Sequence, residues 1–303
     1  MITTSNGSYE AKTSPTMMRP WTWGMSGVGV DQSRDGRTLV VSTLATANVQ
    51  TESFTYIPRQ CKVGGMIAVT VVTPSYRHLE KEAVKRIKKF TGLPVQVIRC
   101  ADKDGFFKKL ELDRECGKQR ILFFDVDYWL LREVDFKTWC PNTWLAVHDS
   151  ATFNPYAFPH TDCESFGMNK LQYFNSGFFL CNLALKEHRK VFQVARMLRS
   201  RVVRGSLKQP TDVTDQFYLN KAAQDANVSM HLVPLKFNFY LRSSQWGQVP
   251  YIPRDIIGLH AAGFPLAEKK RALEVQAEVF TNEVMRVCPE AQQYEAVRLF
   301  EMR

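Results

Sequence analysis

The sequence predicts an α/β domain built on a mainly parallel sheet. Short apolar runs rich in Val, Ile and Phe alternate with charged amphipathic stretches, the pattern of successive βαβ units. One such run, "RILFFDVDYWLL" from Arg120, carries two carboxylates, Asp125 and Asp127, just past four apolar residues, where the strands of parallel sheets present their ligand sites. The length of 303 residues with 45% hydrophobic content suits one large domain with appendages better than two full domains.

Residues 1 to about 62 are rich in Ser, Thr and Gly and hold one strand-like run, "TLVVSTLA" from Thr38. An arm, a small β addition and a leader without fixed structure all fit that composition. From Met66 the texture changes. "MIAVTVVTP" reads as a buried strand ended by Pro74, and "YRHLEKEAVKRIKKFTG" as an amphipathic helix closed by Gly92. "PVQVIRC" is a second strand, "FFKKLELDREC" a helix, and "RILFFDVDYWL" a third strand. "TWLAVHD" and "YFNSGFFLCNL" read as strands, "HRKVFQVARMLRSRVV" and "VTDQFYLNKAAQ" as helices, and "SMHLVPLKFNFY" as strand-like. The tail from Ala267 is helical in pattern. These runs set expected boundaries of 1–62 for the N-terminal segment, 63–270 for the main domain and 271–303 for a C-terminal helical extension.

The balance of 40 Lys+Arg against 30 Asp+Glu gives a net charge of +10, which favours polyanionic partners without choosing among nucleotides, nucleic acid and acidic surfaces. Seven scattered cysteines with no C-x-x-C pair argue against a zinc ribbon or a disulfide scaffold and for a reducing compartment. No apolar run approaches the ~20 residues that a membrane span requires, and the N-terminus has no signal-peptide pattern. A cytoplasmic, soluble protein is expected.

On an extended chain, residues i and i+2 point to the same side, so Asp125 and Asp127 can face one ligand. Two unpaired carboxylates that close repel, and a divalent cation is the simplest compensation. The competing reading is a turn cap beside a solvated carboxylate.

Several short motifs, in order from about Met66 to about Lys270, resemble the glycogenin-like and lipopolysaccharide galactosyltransferase-like retaining glycosyltransferases of family 8, which have the GT-A fold. They are the strand ending in D-x-D ("LFFDVDYWL"), "YFNSGFFLCNL", "TDQFYLN", "PLKFNFY" and "GLHAAG". The resemblance implies a nucleoside-diphosphate sugar donor, with a UDP-sugar first, whose hexosyl or pentosyl group is transferred with retention. It implies Asp125, Asp127 and His260 as ligands of Mn²⁺, or of Mg²⁺, which suits hard oxygen donors. Asn175, Ser176 and Gly177 would line the sugar pocket, against the alternative of a polar turn. Asp215 would position sugar hydroxyls and Gln216 would lie near the reactive face, with an N-cap at Thr211, Asp212 or Asp215 as the structural alternative. Asp149 is a further sugar contact or a strand-end turn. Lys109 falls where the family often carries an Arg that reaches the donor, and Thr73 where its base and ribose contacts begin.

The sequence departs from the family after His260. The family's H-x-x-G-x-x-K places a lysine on the diphosphate, whereas here that position is Leu266, which leaves Lys269 as the substitute. The acceptor and the oligomeric state are not implied. The stretch from Lys186 to Lys208 carries eight basic residues against the single acid Glu187, so it can follow a phosphate backbone, face an anionic membrane or form a solvated helix face. A modified base in DNA is one acceptor it would suit, flipped out if the target is duplex; saccharide, lipid-linked and protein acceptors are the others. A non-catalytic sugar-nucleotide or nucleic-acid binding protein and a metal-dependent nuclease are the competing functions. On these grounds Asp127→Asn is expected to abolish turnover and leave the fold intact.

Overall fold

The computed structural model describes strands at 28–32, 38–43 and 53–55, and residues 65–140, 142–153, 157–239 and 255–281. The chain divides into two units, Met1–Gln60 and Cys61–Arg303. In the first, β1 (Val28–Gln32), β2 (Thr38–Thr43) and β3 (Ser53–Thr55) form an antiparallel sheet with β2 at its centre, and β2 is the run noted from Thr38. Residues 282–303, most of the expected C-terminal extension, lie outside the described residues.

The second unit opens with β4 (Met66–Val72), α1 (Arg77–Thr91) and β5 (Val95–Arg99). The α2 (Gly105–Lys108) and α3 (Leu112–Glu115) turns lead to β6 (Arg120–Phe124), β7 (Tyr128–Leu130) and β8 (Trp144–His148). There follow α4 (Phe158–Phe166), β9 (Phe174–Asn182), α5 (Lys186–Val203) and α6 (Asp215–Asp225). The described chain closes with β10 (Met230–Val233), β11 (Gly258–His260) and α7 (Lys269–Thr281).

The central sheet has the order β10-β8-β9-β6-β4-β5, parallel throughout except at β9, which runs against both neighbours. Every residue of β6 is buried, because apolar clusters cover both faces of the sheet. On one face lie Leu79, Ala83 and Ile87 of α1 with Leu273 and Val279 of α7; on the other lie Val191, Phe192 and Leu198 of α5 with Phe217 and Leu219 of α6. This two-sided cover is the expected α/β architecture.

Three elements differ from the sequence reading. The third strand is two: β6 ends at Phe124, the chain turns through Asp125–Asp127, and β7 leaves to pair with β11 in a separate two-stranded sheet. Tyr128 N donates to Asp125 O at 2.9 Å to close that turn. The helix expected around Lys109 is interrupted by a 3-10 turn at Lys109–Glu111, which rotates Lys109 inward so that it is buried. The strand-like run from Ser229 stops at Val233, because Pro234 has no N–H for the ladder and a 3-10 turn follows.

Candidate functional site

The D-x-D carboxylates converge because of the turn at 125–127, not because of an extended strand. Its position is set from both sides: Asp125 N donates to Gly177 O at 2.8 Å, and Ala261 N donates to Asp127 O at 3.0 Å. Register in the small sheet places His260 directly opposite Tyr128, so an imidazole from late in the chain arrives beside the aspartates. His260 Nε2 lies 3.4 Å from Asp127 Oδ1 and 3.7 Å from Asp125 Oδ2. Gly263, at φ 82°, makes the left-handed turn that follows.

The opposite oxygens of both aspartates belong to lysines. Lys109 Nζ lies 3.0 Å from Asp125 Oδ1 and 2.9 Å from Asp215 Oδ2, and it also donates to Ser176 O at 3.1 Å. Lys269 Nζ donates to Asp127 Oδ2 at 2.6 Å and to Ala261 O at 2.7 Å. Each carboxylate thus has one oxygen held by an ammonium and the other turned toward His260. Burial by itself would push the Asp127 carboxyl up, but Lys269 and His260 outweigh it and hold it well below the usual range. Burial would likewise lower both ammoniums, and the facing carboxylates hold Lys109 and Lys269 above their ordinary value. For Asp125 burial wins over Lys109, and its carboxyl is raised. Two ammoniums against Asp125, Asp127 and Asp215 leave one negative charge uncompensated.

A divalent cation fits this place. The ligand atoms of Asp125, Asp127 and His260 lie within 4.8 Å of one another and combine hard oxygens with an imidazole. Gly177 keeps the space open, since a Cβ there would overlap the His260 ring and stand 2.8 Å from Asp125 Oδ2. The lysines hold the two carboxylates in orientation, as outer partners do at metal sites. Among the described residues this is the one such cluster.

A bulge brings β9 to the same place. Pairing of β8 with β9 jumps from Ala146↔Phe179 to Val147↔Asn175, which leaves 176–178 unpaired on that side and re-aims the chain into the cleft. Ser176 Oγ donates to Asp215 Oδ2 at 2.7 Å, and Ser176 N donates to Gln216 Oε1 at 3.1 Å. Asn175 Oδ1 accepts from Gly177 N at 3.0 Å and from Asn238 Nδ2 at 2.9 Å. The fully buried Asn220 ties α6 to β9 by donating to Phe174 O and Gln216 O while accepting from Phe174 N. The N-cap of α6 is Thr214, whose hydroxyl accepts from Gln216 N; none of the three expected capping residues fills that role.

These groups line one cleft of about 660 Å³, in the range of small-molecule sites. It contains Thr73, Lys109, Asn175, Ser176, Gly177 and Lys269 together with the cluster of Asp125, Asp127 and His260, and with Asp215 and Gln216. Asp149 is placed otherwise: it is fully buried behind Gln216 and accepts from Gln216 Nε2 at 2.9 Å and from Ala151 N at 2.9 Å. Lys269 faces Asp127 across the cleft wall, and Leu266 lies at its edge. Sequence reasoning overlooked Tyr76, Phe106 and Phe158 and named Asp212 only as a capping alternative; all four also line the cleft, and no short motif marks them as doing so.

Asp212 yields a pH prediction. Burial pushes its carboxyl up to about 6, against the bonds it accepts from Thr214 N and Oγ1 and with the help of Asp215 and Asp162. The folded state therefore binds a proton that the unfolded state releases near pH 4, and stability falls as pH rises from about 4 through about 6. Asp212→Asn keeps the acceptor oxygen and removes the titration. Its stability is expected to match the parent near pH 4 and to exceed it by up to about 3 kcal/mol near pH 7.5. Thermal melts across that range check this; a difference independent of pH would exclude burial of the charge as the cause.

No family model and no curated protein sequence matches this chain. Solved structures do. The apo structure of WbbM, a bifunctional glycosyltransferase, aligns at TM-score 0.51 and 12% identity over 72% of this chain and 49% of WbbM, so the chain spans about half of that protein's length. An active-site mutant of LgtC aligns at TM-score 0.51 and 16% identity, over 71% of this chain and 94% of LgtC. The shared architecture is the GT-A glycosyltransferase fold. Among the described residues no helix is long and apolar enough to cross a membrane.

Proposed function

We propose that the chain is a metal-dependent glycosyltransferase that takes a hexosyl or pentosyl group from a nucleoside-diphosphate sugar, a UDP-sugar first, and transfers it with retention of anomeric configuration. One observation carries the reading: Asp125 and Asp127 each give one oxygen to a buried lysine and turn the other toward His260. Three ligands are thereby aimed at one point before any ion arrives, which suits Mn²⁺ or Mg²⁺. A cation bound there supplies Lewis acidity toward the departing diphosphate.

The remaining roles are those the family resemblance implies, and the contacts each group makes support them. Thr73 lines the cleft with Tyr76, and by the family resemblance it is where the base and ribose would lie. Asn175, Ser176 and Gly177 form the floor under the sugar. Asp215 keeps Ser176 and Lys109 in place, and its carboxylate is the acceptor a sugar hydroxyl would find. Gln216 is bonded at both ends of its amide, by Asp149 and by Ser176 N, so it needs no reorganisation when charge develops beside it. Lys269 is the cation nearest to Asp127, and in this reading it serves the diphosphate in place of the family's lysine. Retention rests on the family resemblance. A two-metal nuclease is the weaker reading, because the described residues hold one His/Cys/Asp/Glu cluster and that reaction calls for paired metal sites.

The test is a thermal-shift screen against UDP-, GDP-, ADP- and CMP-sugars with and without Mn²⁺. A donor at a hundred times its Kd raises stability by about 2.7 kcal/mol, and the shift is expected to require both metal and one nucleotide. In Gly177→Ala, whose Cβ would displace the His260 ring, the metal-dependent part should vanish. No shift with any donor, or a shift indifferent to metal and to that substitution, would sink the proposal.

A further inference from the structure

The mouth of the cleft carries apolar surface for which the donor has no evident use. Phe158 is 60% exposed and Phe106 56% exposed, and both line the cleft; Val213, 54% exposed, stands between the lining residues Asp212 and Thr214. Large apolar side chains collected in water at a cleft edge mark a binding groove. Phe158 opens α4 and Phe106 lies in the first turn of α2, so helices hold both rings in position.

A segment with exposed basic residues leads to the same mouth. The last turns of α5 meet the first turn of α6 through Phe107, over whose ring the Arg199 guanidinium lies at 3.6 Å while Tyr218 packs on it at 6.1 Å. From there the segment after Arg204 runs into the cleft. It is pinned by Asp162, whose oxygens accept from Thr211 N at 2.7 Å and Asp212 N at 2.8 Å. Of the eight basic residues from Lys186 to Lys208, Lys186 and Lys190 are exposed in the first two turns of α5 and Arg199 is the one over Phe107; the other five separate into two sets. Arg196 is bonded to both oxygens of Asp113, and Arg189 donates to Leu183 O and Ala184 O, so these two serve the fold. Arg201, Arg204 and Lys208 are exposed, form no ion pair with another described residue, and lie on the portion that leads to the mouth.

Resting on the transferase reading and extending it to the acceptor, we infer that the acceptor is a nucleic-acid strand. Its phosphates follow Arg201, Arg204 and Lys208, and an unstacked base enters the cleft over Phe158 and Phe106. Unpaired cations on a segment that leads to exposed aromatic rings are the pairing that single strands select: phosphates meet the cations, and every base has a π-face to offer the rings. A neutral saccharide would use the rings and leave the cations idle. A base inside a duplex would first have to be flipped out, so a single strand should bind more tightly than the same sequence paired.

The test is fluorescence anisotropy of the full chain with labelled mixed-sequence DNA and RNA of about 20 nucleotides, single-stranded and duplex. Three phosphate contacts predict that single-strand affinity falls about 10- to 20-fold between about 50 and about 200 mM salt. Charge reversal by R201E/R204E/K208E is expected to weaken binding at least about tenfold and to flatten that salt dependence. Phe158→Ala should cost about fivefold or more at every salt concentration. The metal-dependent donor shift of the triple variant should equal that of the parent, because these three side chains stand outside the donor cleft. Absence of salt-dependent binding, undiminished binding by the triple variant, or tighter binding to phosphatidylglycerol vesicles than to oligonucleotides would each overturn the inference. A normal donor shift without oligonucleotide binding removes this acceptor and leaves the transferase. Oligonucleotide binding without any donor shift removes the transferase, and with it the strand's role as acceptor.

Discussion

Lys109→Met is expected to lower the unfolding free energy by about 3–5 kcal/mol near pH 7, the cost of stranding the buried Asp215 carboxylate, and the half-buried Asp125 beside it, once their cation has been removed. The ammonium stands between Asp125 and Asp215 at 3.0 and 2.9 Å, and the Asp215 and Lys109 side chains are almost wholly out of solvent. Methionine fills a similar volume, so the loss measures charge and not a cavity. Two further observations separate this account from general disruption of packing. Asp215→Asn in the Lys109→Met background should recover part of the loss, giving a coupling energy in a double-mutant cycle. The deficit should also shrink as pH falls toward about 4, where a carboxyl can take up a proton in place of the ammonium's charge. Urea unfolding of the four proteins at two pH values reads both; a deficit that is additive and constant with pH would count against the charge argument.

Asp127→Asn is expected to reduce turnover by about a thousandfold or more, since Lewis-acid stabilisation of a leaving group contributes several kcal/mol. The sequence by itself also predicts an intact fold for this variant, on the ground that the residue lies in a surface cleft. The structure changes that half of the expectation. Asp127 is 5% exposed and is the partner of the buried Lys269, so the substitution also leaves an ammonium without its anion. Asparagine can still accept one bond, and Lys269 keeps Ala261 O at 2.7 Å, which puts the destabilisation near the lower end of the range, about 3 kcal/mol. The sign with pH is fixed: Asp127 has a depressed folded pKa, so its stabilisation is present above about pH 4 and is lost as pH falls further, and the variant should lack that acid-limb loss. Melts from about pH 3 to 7 and turnover at saturating donor test both halves. Full activity in a folded variant would remove Asp127 from the metal site.

Much of this protein is legible in its sequence because the signals are local. The alternation of "MIAVTVV", the α1 pattern and "RILFF" is set by which side chains must leave water, and that requirement predicts a mainly parallel α/β sheet without coordinates. Gly92 closes α1 in the left-handed conformation, as a C-terminal glycine predicts. The candidate ligands Asp125, Asp127 and His260, and the runs around Ser176 and Asp215, are likewise named by short motifs.

Tertiary structure decided what those residues meet. The two aspartates converge through a turn that exists because β7 finds β11 more than a hundred residues later, a pairing that carries no mark within either short segment. Compensation of their charge by Lys109 and Lys269 could not be read from position. One lysine is turned inward by a 3-10 interruption and the other enters from α7, and a lysine on a solvated helix has the same sequence signature. Asp149 and Gln216 became a bonded pair and Asn238 a partner of Asn175 by the same route. Periodicity and motifs report what a residue needs from its own segment; a buried charge is decided by which opposite charge the rest of the fold delivers to it.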